Sequence, residues 1–261
     1  ALTGVTRVIL EPNANPGMAN KAVGPFAQRV FLAFESAADS FNRSKVRVVG
    51  TPIRKAFLEG IQQSQKKSGP FHLLIFGGSQ GAKAINTAVM EGLPELTTQL
   101  PDLTVTHQTG ESDYARVAEA YRRADIESQV MPFLYDMPAA LRQADLVVAR
   151  AGAMTVAELT TCGKPAILIP LPSAIYDHQM RNAKVMEAAG AAVVLPQSAL
   201  TGPMLVRTVA TILRDPERLR MMGEASLTMR RTDAAEVIVR ECYALMEGNH
   251  DVNRSVGAAG A

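Results

Sequence analysis

Leu146-Val-Val-Ala-Arg-Ala-Gly-Ala-Met-Thr-Val-Ala-Glu-Leu-Thr-Thr-Cys-Gly-Lys-Pro-Ala-Ile-Leu-Ile-Pro170 reads as a strand, a tight turn, a helix, a second turn and a second strand. Leu146 to Ala149 is a short apolar run of the kind buried on both faces of a parallel sheet. Gly152 permits the turn. A helix is expected from about Ala153 to Cys162, stopped by Gly163 and Pro165. Ala166 to Ile169 is the next buried strand. Such a unit aims the free N–H groups of its helix out of the carboxyl edge of the sheet, where open α/β sheets hold ligands. Glu158 lies about one turn into the helix, and its two acceptor oxygens suit neighbouring hydroxyls, as on a ribose. Thr155-x-x-Glu158 equally fits a capping box, with the carboxylate folded back on a backbone N–H.

Upstream, Phe71 to Phe76 reads as another buried strand, followed by Gly77-Gly-Ser-Gln-Gly-Ala82 and a helix from Lys83 to Glu91. A glycine-rich turn between strand and helix cradles phosphate through backbone N–H groups, and the Ser79 hydroxyl can add a bond. The run is neither a P-loop nor a dinucleotide fingerprint. It does match Gly-x-Ser-x-Gly, the nucleophile elbow of α/β-hydrolases. That chemistry needs an acid and a later histidine. His107 falls inside an expected strand, His178 directly follows Asp177, and His250 lies in a stretch without a packing pattern. A hydrolase with Ser79 as nucleophile is therefore the rival reading.

Further strands are expected at Val5–Leu10, Arg29–Phe34, Val46–Gly50, Leu103–Thr109 and Gln129 onward, with helices at Met18–Val23, Ser112–Ala124 and Asp136–Gln143. Glu11 to Gly17 is a turn dense in Pro, Asn and Gly. Phe133 and Leu134 read as core side chains, and Asp177 as a helix cap. Residues Gly202 to Met246 read as helical, with Pro216 opening a new helix. Leu58 to Gly69 is polar and is the best linker candidate.

Arg150-Ala-Gly-Ala-Met-Thr-Val-Ala-Glu158 resembles the donor-binding signature of the MurG family. These glycosyltransferases add N-acetylglucosamine to the lipid-linked peptidoglycan precursor. Four more motifs resemble the family in its own order: Glu11-Pro-Asn-Ala-Asn-Pro-Gly-Met-Ala-Asn20, Thr51-Pro-Ile-Arg54, Gly77–Ala82 and Asp177-His-Gln-Met-Arg-Asn-Ala183. The resemblance implies a UDP-GlcNAc site. Asn13 would touch the sugar, Arg54 and Ser79 the diphosphate, and Leu134 the uracil through its backbone. Ala153, Met154, Thr155, Val156, Ala157 and Glu158 would form the donor-binding run, with Glu158 on the ribose and Gln179 on the acetamido sugar. Thr51 stands where the family has Asn. The family's opening glycine-rich turn and histidine, the region of its general base, have no match, so no catalytic residue is assigned.

The resemblance implies an α/β fold of GT-B type, two Rossmann-like domains with a cleft between them and the first incomplete. The expected divisions are 1–60 as the remainder of the acceptor-side domain, 61–69 as linker, and 70–233 as the UDP-sugar domain. Residues 234–247 would be a helix returning to the first domain, and 248–261 a fraying tail. The implied reaction is inverting transfer from UDP-GlcNAc to undecaprenyl-linked muramyl-pentapeptide, without cofactor or metal, by a peripheral protein on the cytoplasmic face of the bacterial inner membrane. A UDP-GlcNAc 2-epimerase and a non-catalytic UDP-sugar-binding subunit remain alternatives. Charge excludes one class: 27 basic against 25 acidic residues do not suit a nucleic-acid binder. Two cysteines without ligand-spaced partners argue against a disulfide framework or zinc site. No apolar run reaches the roughly 18 residues of a membrane span.

Overall fold

The computed structural model describes residues 5–59, 69–172 and 177–258, the side chains of 248–258 excepted. The chain divides into two compact units, Ala1–Ile53 with Arg231–Ala261, and Arg54–Arg230. The division lies ahead of the expected linker, most of which (61–68) falls outside the described residues. The turn that follows Ile53 is tied into the second unit: Phe57 is buried, and Arg142 Nη1 donates to Ala56 O at 3.3 Å.

The first unit opens with β1 (Val8–Glu11), α1 (Met18–Val23), β2 (Arg29–Leu32) and β3 (Val46–Val48). The strands form a parallel sheet in the order β1-β2-β3, with Val8 opposite Arg29 and Val30 opposite Val46. Ile9, Val30, Leu32, Ala37 and Ala38 make its core. The strands are shorter than the apolar runs that mark them, because pairing stops at Glu11, Leu32 and Val48 where the chain turns away.

The second unit alternates strand and helix: β4 (His72–Phe76), α2 (Lys83–Gln99), β5 (Thr104–Gln108), α3 (Tyr114–Ala124), β6 (Ser128–Met131), α4 (Met137–Gln143), β7 (Leu146–Ala149), α5 (Ala153–Cys162), β8 (Ala166–Leu168), α6 (His178–Ala188), β9 (Ala192–Val194), α7 (Gly202–Leu213) and α8 (Pro216–Thr228). All pairings are parallel, in the order β6-β5-β4-β7-β8-β9. The chain runs outward from β4 to β6 and then returns to the other side of β4 with β7. This reversal opens a crevice at the carboxyl ends of β4 and β7. Leu146 to Ala149 are wholly buried, as a central parallel strand requires.

Helix α2 outruns its expected end at Glu91 and passes through Pro94. Gly92 and Pro94 are local stop signals, but Leu93 and Leu96 are buried in the core and carry the helix on. Burying each such side chain is worth about 1.5–3 kcal/mol, enough to offset a poor helix former. Gly92 also lets α2 approach α7: a Cβ there would stand 2.6 Å from Val206 Cγ2.

The last helix, α9 (Ala234–Ala258), belongs to the first unit. Arg29 Nε lies 2.9 Å from Glu241 Oε2. The helical backbone runs on to Ala258, where a fraying tail from Gly248 was expected. A single interior glycine costs only about 1 kcal/mol against alanine and need not end a helix.

Candidate functional site: the crevice at the reversal of strand order

Two loops meet at the crevice. After β4, Gly81 N–H donates to Gly78 O at 2.9 Å, closing a turn with Ser79 and Gln80 exposed at its tip. Gly78 and Gly81 have φ of 91° and 73°. A Cβ on Gly81 would stand 1.9 Å from Thr109 O, so only glycine lets this turn lie against the end of β5. After β7, the turn at Ala151 is clamped from α6. Ala151 N–H donates to Gln179 Oε1 at 3.2 Å, and Asn182 Nδ2 donates to Ala151 O at 3.2 Å.

The helices that follow these loops start without side-chain caps. Neither Ala82 before α2 nor Gly152 before α5 places a side chain on the helix N–H groups. The first internal bonds are Asn86 N–H to Ala82 O and Val156 N–H to Gly152 O, so the N–H groups of Lys83–Ile85 and Ala153–Thr155 stay available. By contrast α4 and α7, which follow β6 and β9, are capped by Asp136 and Thr201. Helix α6 is also uncapped: Asp177 takes a left-handed backbone, φ 46°, and its side chain makes no cap bond, contrary to the capping role expected of it.

The capping box at Thr155 and Glu158 does not form, because α5 starts at Ala153 and puts both residues inside the helix. Glu158 is half-buried and has no hydrogen-bond partner among the described residues. Burial pushes its pKa up to about 7, against the opposing charge of Arg54. Arg54 is exposed, with its guanidinium 5.1 Å from the centre of the Phe57 ring. It therefore belongs to the same unit as Glu158, where the sequence reading grouped it with Asn13.

Other members of the run divide by burial. Met154 is exposed, whereas the Val156 side chain is buried and its N–H is spent within the helix. Ala153, Thr155 and Ala157 are half-buried. Arg150, where the signature begins, is buried and structural: its Nη1 donates to Ile169 O at 3.0 Å and Pro170 O at 3.3 Å, and its Nη2 to Gln197 Oε1 at 2.6 Å. Leu134 is half-buried between β6 and α4. Its neighbour Phe133 is 44 % exposed, not a core side chain, and meets the ring of Tyr135 edge-on at 4.9 Å.

The hydrolase reading fails on geometry. His107 is completely buried, with Nδ1 at 3.2 Å from the Tyr121 hydroxyl and Nε2 at 3.1 Å from Asn86 Oδ1. Asn86 Nδ2 in turn donates to Thr109 O at 2.9 Å and Asp113 Oδ2 at 2.8 Å. Burial pushes the pKa of His107 down to about 3, so it is no general base at neutral pH. Ser79 makes no bond to a histidine among the described residues.

Residues 72–238 match the family model of the glycosyltransferase family 28 C-terminal domain. The UDP-N-acetylglucosamine--N-acetylmuramyl-(pentapeptide) pyrophosphoryl-undecaprenol N-acetylglucosamine transferase of Geobacter metallireducens is 43% identical over 240 residues, covering 91% of this chain and 66% of that protein. The equivalent protein of Syntrophus aciditrophicus is 43% identical over 245 residues, covering 94% and 68%. The chain belongs to the MurG family. It thus spans about two thirds of the length of these relatives. Acinetobacter baumannii MurG superposes with a TM-score of 0.77 at 33% identity, covering 92% of this chain and 68% of that one. A putative UDP-N-acetylglucosamine 2-epimerase from Listeria monocytogenes shares the fold, with a TM-score of 0.65 at 14% identity.

Of the residues singled out by likeness to MurG, Arg54, Ser79, Leu134, the Ala153–Glu158 run and Gln179 lie in the second unit, and Asn13 in the first. The MurG-like segment around Asn13 has a plain local cause. The buried Glu11 carboxylate accepts from Asn13 N–H at 2.9 Å and Asn13 Nδ2 at 3.1 Å, and from Gly17 N–H at 2.9 Å and Asn20 Nδ2 at 2.8 Å. Glu11, Asn13, Gly17 and Asn20 are one hydrogen-bonded loop, a role that spacing alone did not reveal. The His107–Asn86 network and Gln197 were also missed. No signal within a single element marks them, since their partners lie between 14 and 47 residues away.

Proposed function

We propose that this chain binds UDP-GlcNAc on its second unit and serves the transfer of N-acetylglucosamine to undecaprenyl-linked muramyl-pentapeptide, with inversion at the anomeric carbon. The observation that carries the reading is the pair of uncapped helices, α2 and α5, opening side by side after the adjacent strands β4 and β7. Their free N–H groups and the Ser79 hydroxyl suit a diphosphate. When the sugar–phosphate bond breaks, negative charge grows on the leaving UDP, and these donors hold it more tightly than in the ground state. Arg54 adds a positive charge that a phosphate can pair with. Glu158 takes the ribose hydroxyls, Leu134 the uracil through its backbone, and Gln179 the sugar.

On this reading the diphosphate charge is met by protein groups and no cofactor is assigned. None of the residues named here is assigned as the base that takes the proton of the acceptor hydroxyl. Among the described residues no helix is long and apolar enough to cross a membrane. A lipid-linked acceptor would be met at the membrane surface, on the cytoplasmic face where UDP-sugars reside.

Calorimetric titration of the 261-residue chain tests the reading. UDP-GlcNAc and UDP should bind, and Ser79→Ala should weaken UDP more than uridine. Absence of UDP binding by the folded chain, or labelling of Ser79 by a fluorophosphonate, would overturn it.

A further inference from the structure

A cavity of about 700 Å³ lies between the Gly77–Ala82 turn, the first half of α2 and the turn around Gln197. Three of its wall residues have orientations fixed by chemistry. Gln179 Oε1 accepts two backbone N–H groups, from Ala151 at 3.2 Å and Leu171 at 2.9 Å. Gln197 Oε1 accepts from Arg150 Nη2 at 2.6 Å, and a guanidinium can only donate, so Gln197 must give it the oxygen. Each glutamine is left with its NH2 group, and neither NH2 has an acceptor among the described residues. Arg150 has used three of its five N–H groups on Ile169, Pro170 and Gln197. This wall therefore offers donors only, flanked by the apolar Leu171 and Leu200.

The cavity begins at Gly77 and Gly81, where the functional reading above puts the diphosphate, and the next group along a UDP-sugar is the hexose. We propose that Gln197 is a specificity-determining residue whose amide N–H groups take an uncharged oxygen of the donor sugar. The inference rests on the UDP-GlcNAc reading. An amide suits a neutral oxygen, since it carries no charge to offset a phosphate. Two kinds of sugar oxygen have this chemistry, the carbonyl of the acetamido group and the hydroxyls of the hexose.

Gln197→Glu separates the roles of the side chain. The carboxylate keeps and strengthens the contact to Arg150 while removing both N–H donors. Thermal melting confirms that the variant is folded. UDP, UDP-GlcNAc and UDP-glucose are then titrated calorimetrically into the full 261-residue chain. UDP should bind within about twofold of the parent chain and UDP-GlcNAc about tenfold more weakly, the loss expected for one hydrogen bond made to a desolvated group. A loss confined to UDP-GlcNAc assigns the acetamido carbonyl, and an equal loss for UDP-glucose assigns a hexose hydroxyl. Unchanged UDP-GlcNAc affinity, or equal weakening of UDP and UDP-GlcNAc, overturns the proposal while leaving the donor site in place. A parent chain that binds neither UDP nor UDP-GlcNAc overturns the donor-site reading itself.

Discussion

His107 Nε2 lies 3.1 Å from Asn86 Oδ1, and this contact fixes where the imidazole carries its proton. Asn86 spends its NH2 on two groups that only accept, Thr109 O and the Asp113 carboxylate, so it must show His107 an oxygen. Nε2 is then the donor, and Nδ1 accepts from the Tyr121 hydroxyl. Every member of the chain is satisfied only with His107 neutral. Thr109 O is also the atom that excludes any side chain from Gly81, so the network underlies the glycine-rich turn.

That neutrality has a pH signature. The folded pKa of His107 is lowered by burial to about 3 from 6.5. Between those values the unfolded chain holds a proton that the folded chain refuses. The histidine's contribution is whole above pH 6.5 and is lost as pH falls toward 3, at up to about 1.4 kcal/mol per pH unit. Urea midpoints measured from pH 7 to pH 4 should fall less steeply for His107→Gln than for the parent chain. Parallel slopes would show that the histidine is charged in the folded state.

Glu158 runs the opposite way. Its folded pKa of about 7 exceeds the ordinary 4.5 because burial disfavours the charge. The folded chain holds the extra proton between those values, so its stability declines as pH rises from 4.5 to 7. Glu158→Gln removes that cost and should stabilise the protein at pH 8 by about 1–3 kcal/mol. The same change should weaken UDP-GlcNAc by about 1.5–3 kcal/mol, because a ribose then loses its charged acceptor. In the parent chain UDP-GlcNAc affinity should rise between pH 6 and pH 8. Calorimetry and urea denaturation on one pair of samples decide both points. A variant that gains stability at unchanged affinity would remove Glu158 from the site.

Gly78 and Gly81 have similar positive φ but different neighbours. Nothing lies within 4 Å of a Cβ on Gly78, whereas one on Gly81 would strike the backbone of Thr109 and Gly110. Gly78→Ala should cost only backbone strain, about 1 kcal/mol, and leave UDP binding near its parent value. Gly81→Ala should cost several times more and weaken UDP by displacing the turn. Thermal melting with UDP titration reads both variants, and equal costs would show that the turn does not rest on the end of β5.

Elements bounded by local chemistry were legible in advance. Helix α5 begins and ends where the sequence says, since Gly152 and Gly163 are start and stop signals that act over a few residues. The crevice at the carboxyl ends of β4 and β7 followed from the same strand–turn–helix grammar. What the sequence concealed depends on distant partners. Pro94 ends no helix because Leu93 and Leu96 are wanted by the core. Arg150 sits in a ligand signature yet spends itself on Ile169, Pro170 and Gln197. Arg54 follows the Val46–Val48 strand closely in sequence, but the contacts of Phe57 and Ala56 carry it to the second unit. Spacing ranks residues along a chain, and these assignments are made across it.

The first unit is assembled from both sides of an uninterrupted insertion, residues 54–230. A ribosome therefore makes the β1–β3 sheet before this insertion and its helix α9 after it, when a whole α/β unit has had time to fold. The Arg29–Glu241 ion pair can form only after residues 54–230 have been made. A stop codon just after Arg230 would leave the continuous segment intact and withhold helix α9 from the unit that holds the three-stranded sheet. Loss of the last 31 residues should then take the Glu241 partner from Arg29 and Arg47 and lower the stability of the first unit, while the crevice at β4 and β7 keeps every residue that builds it.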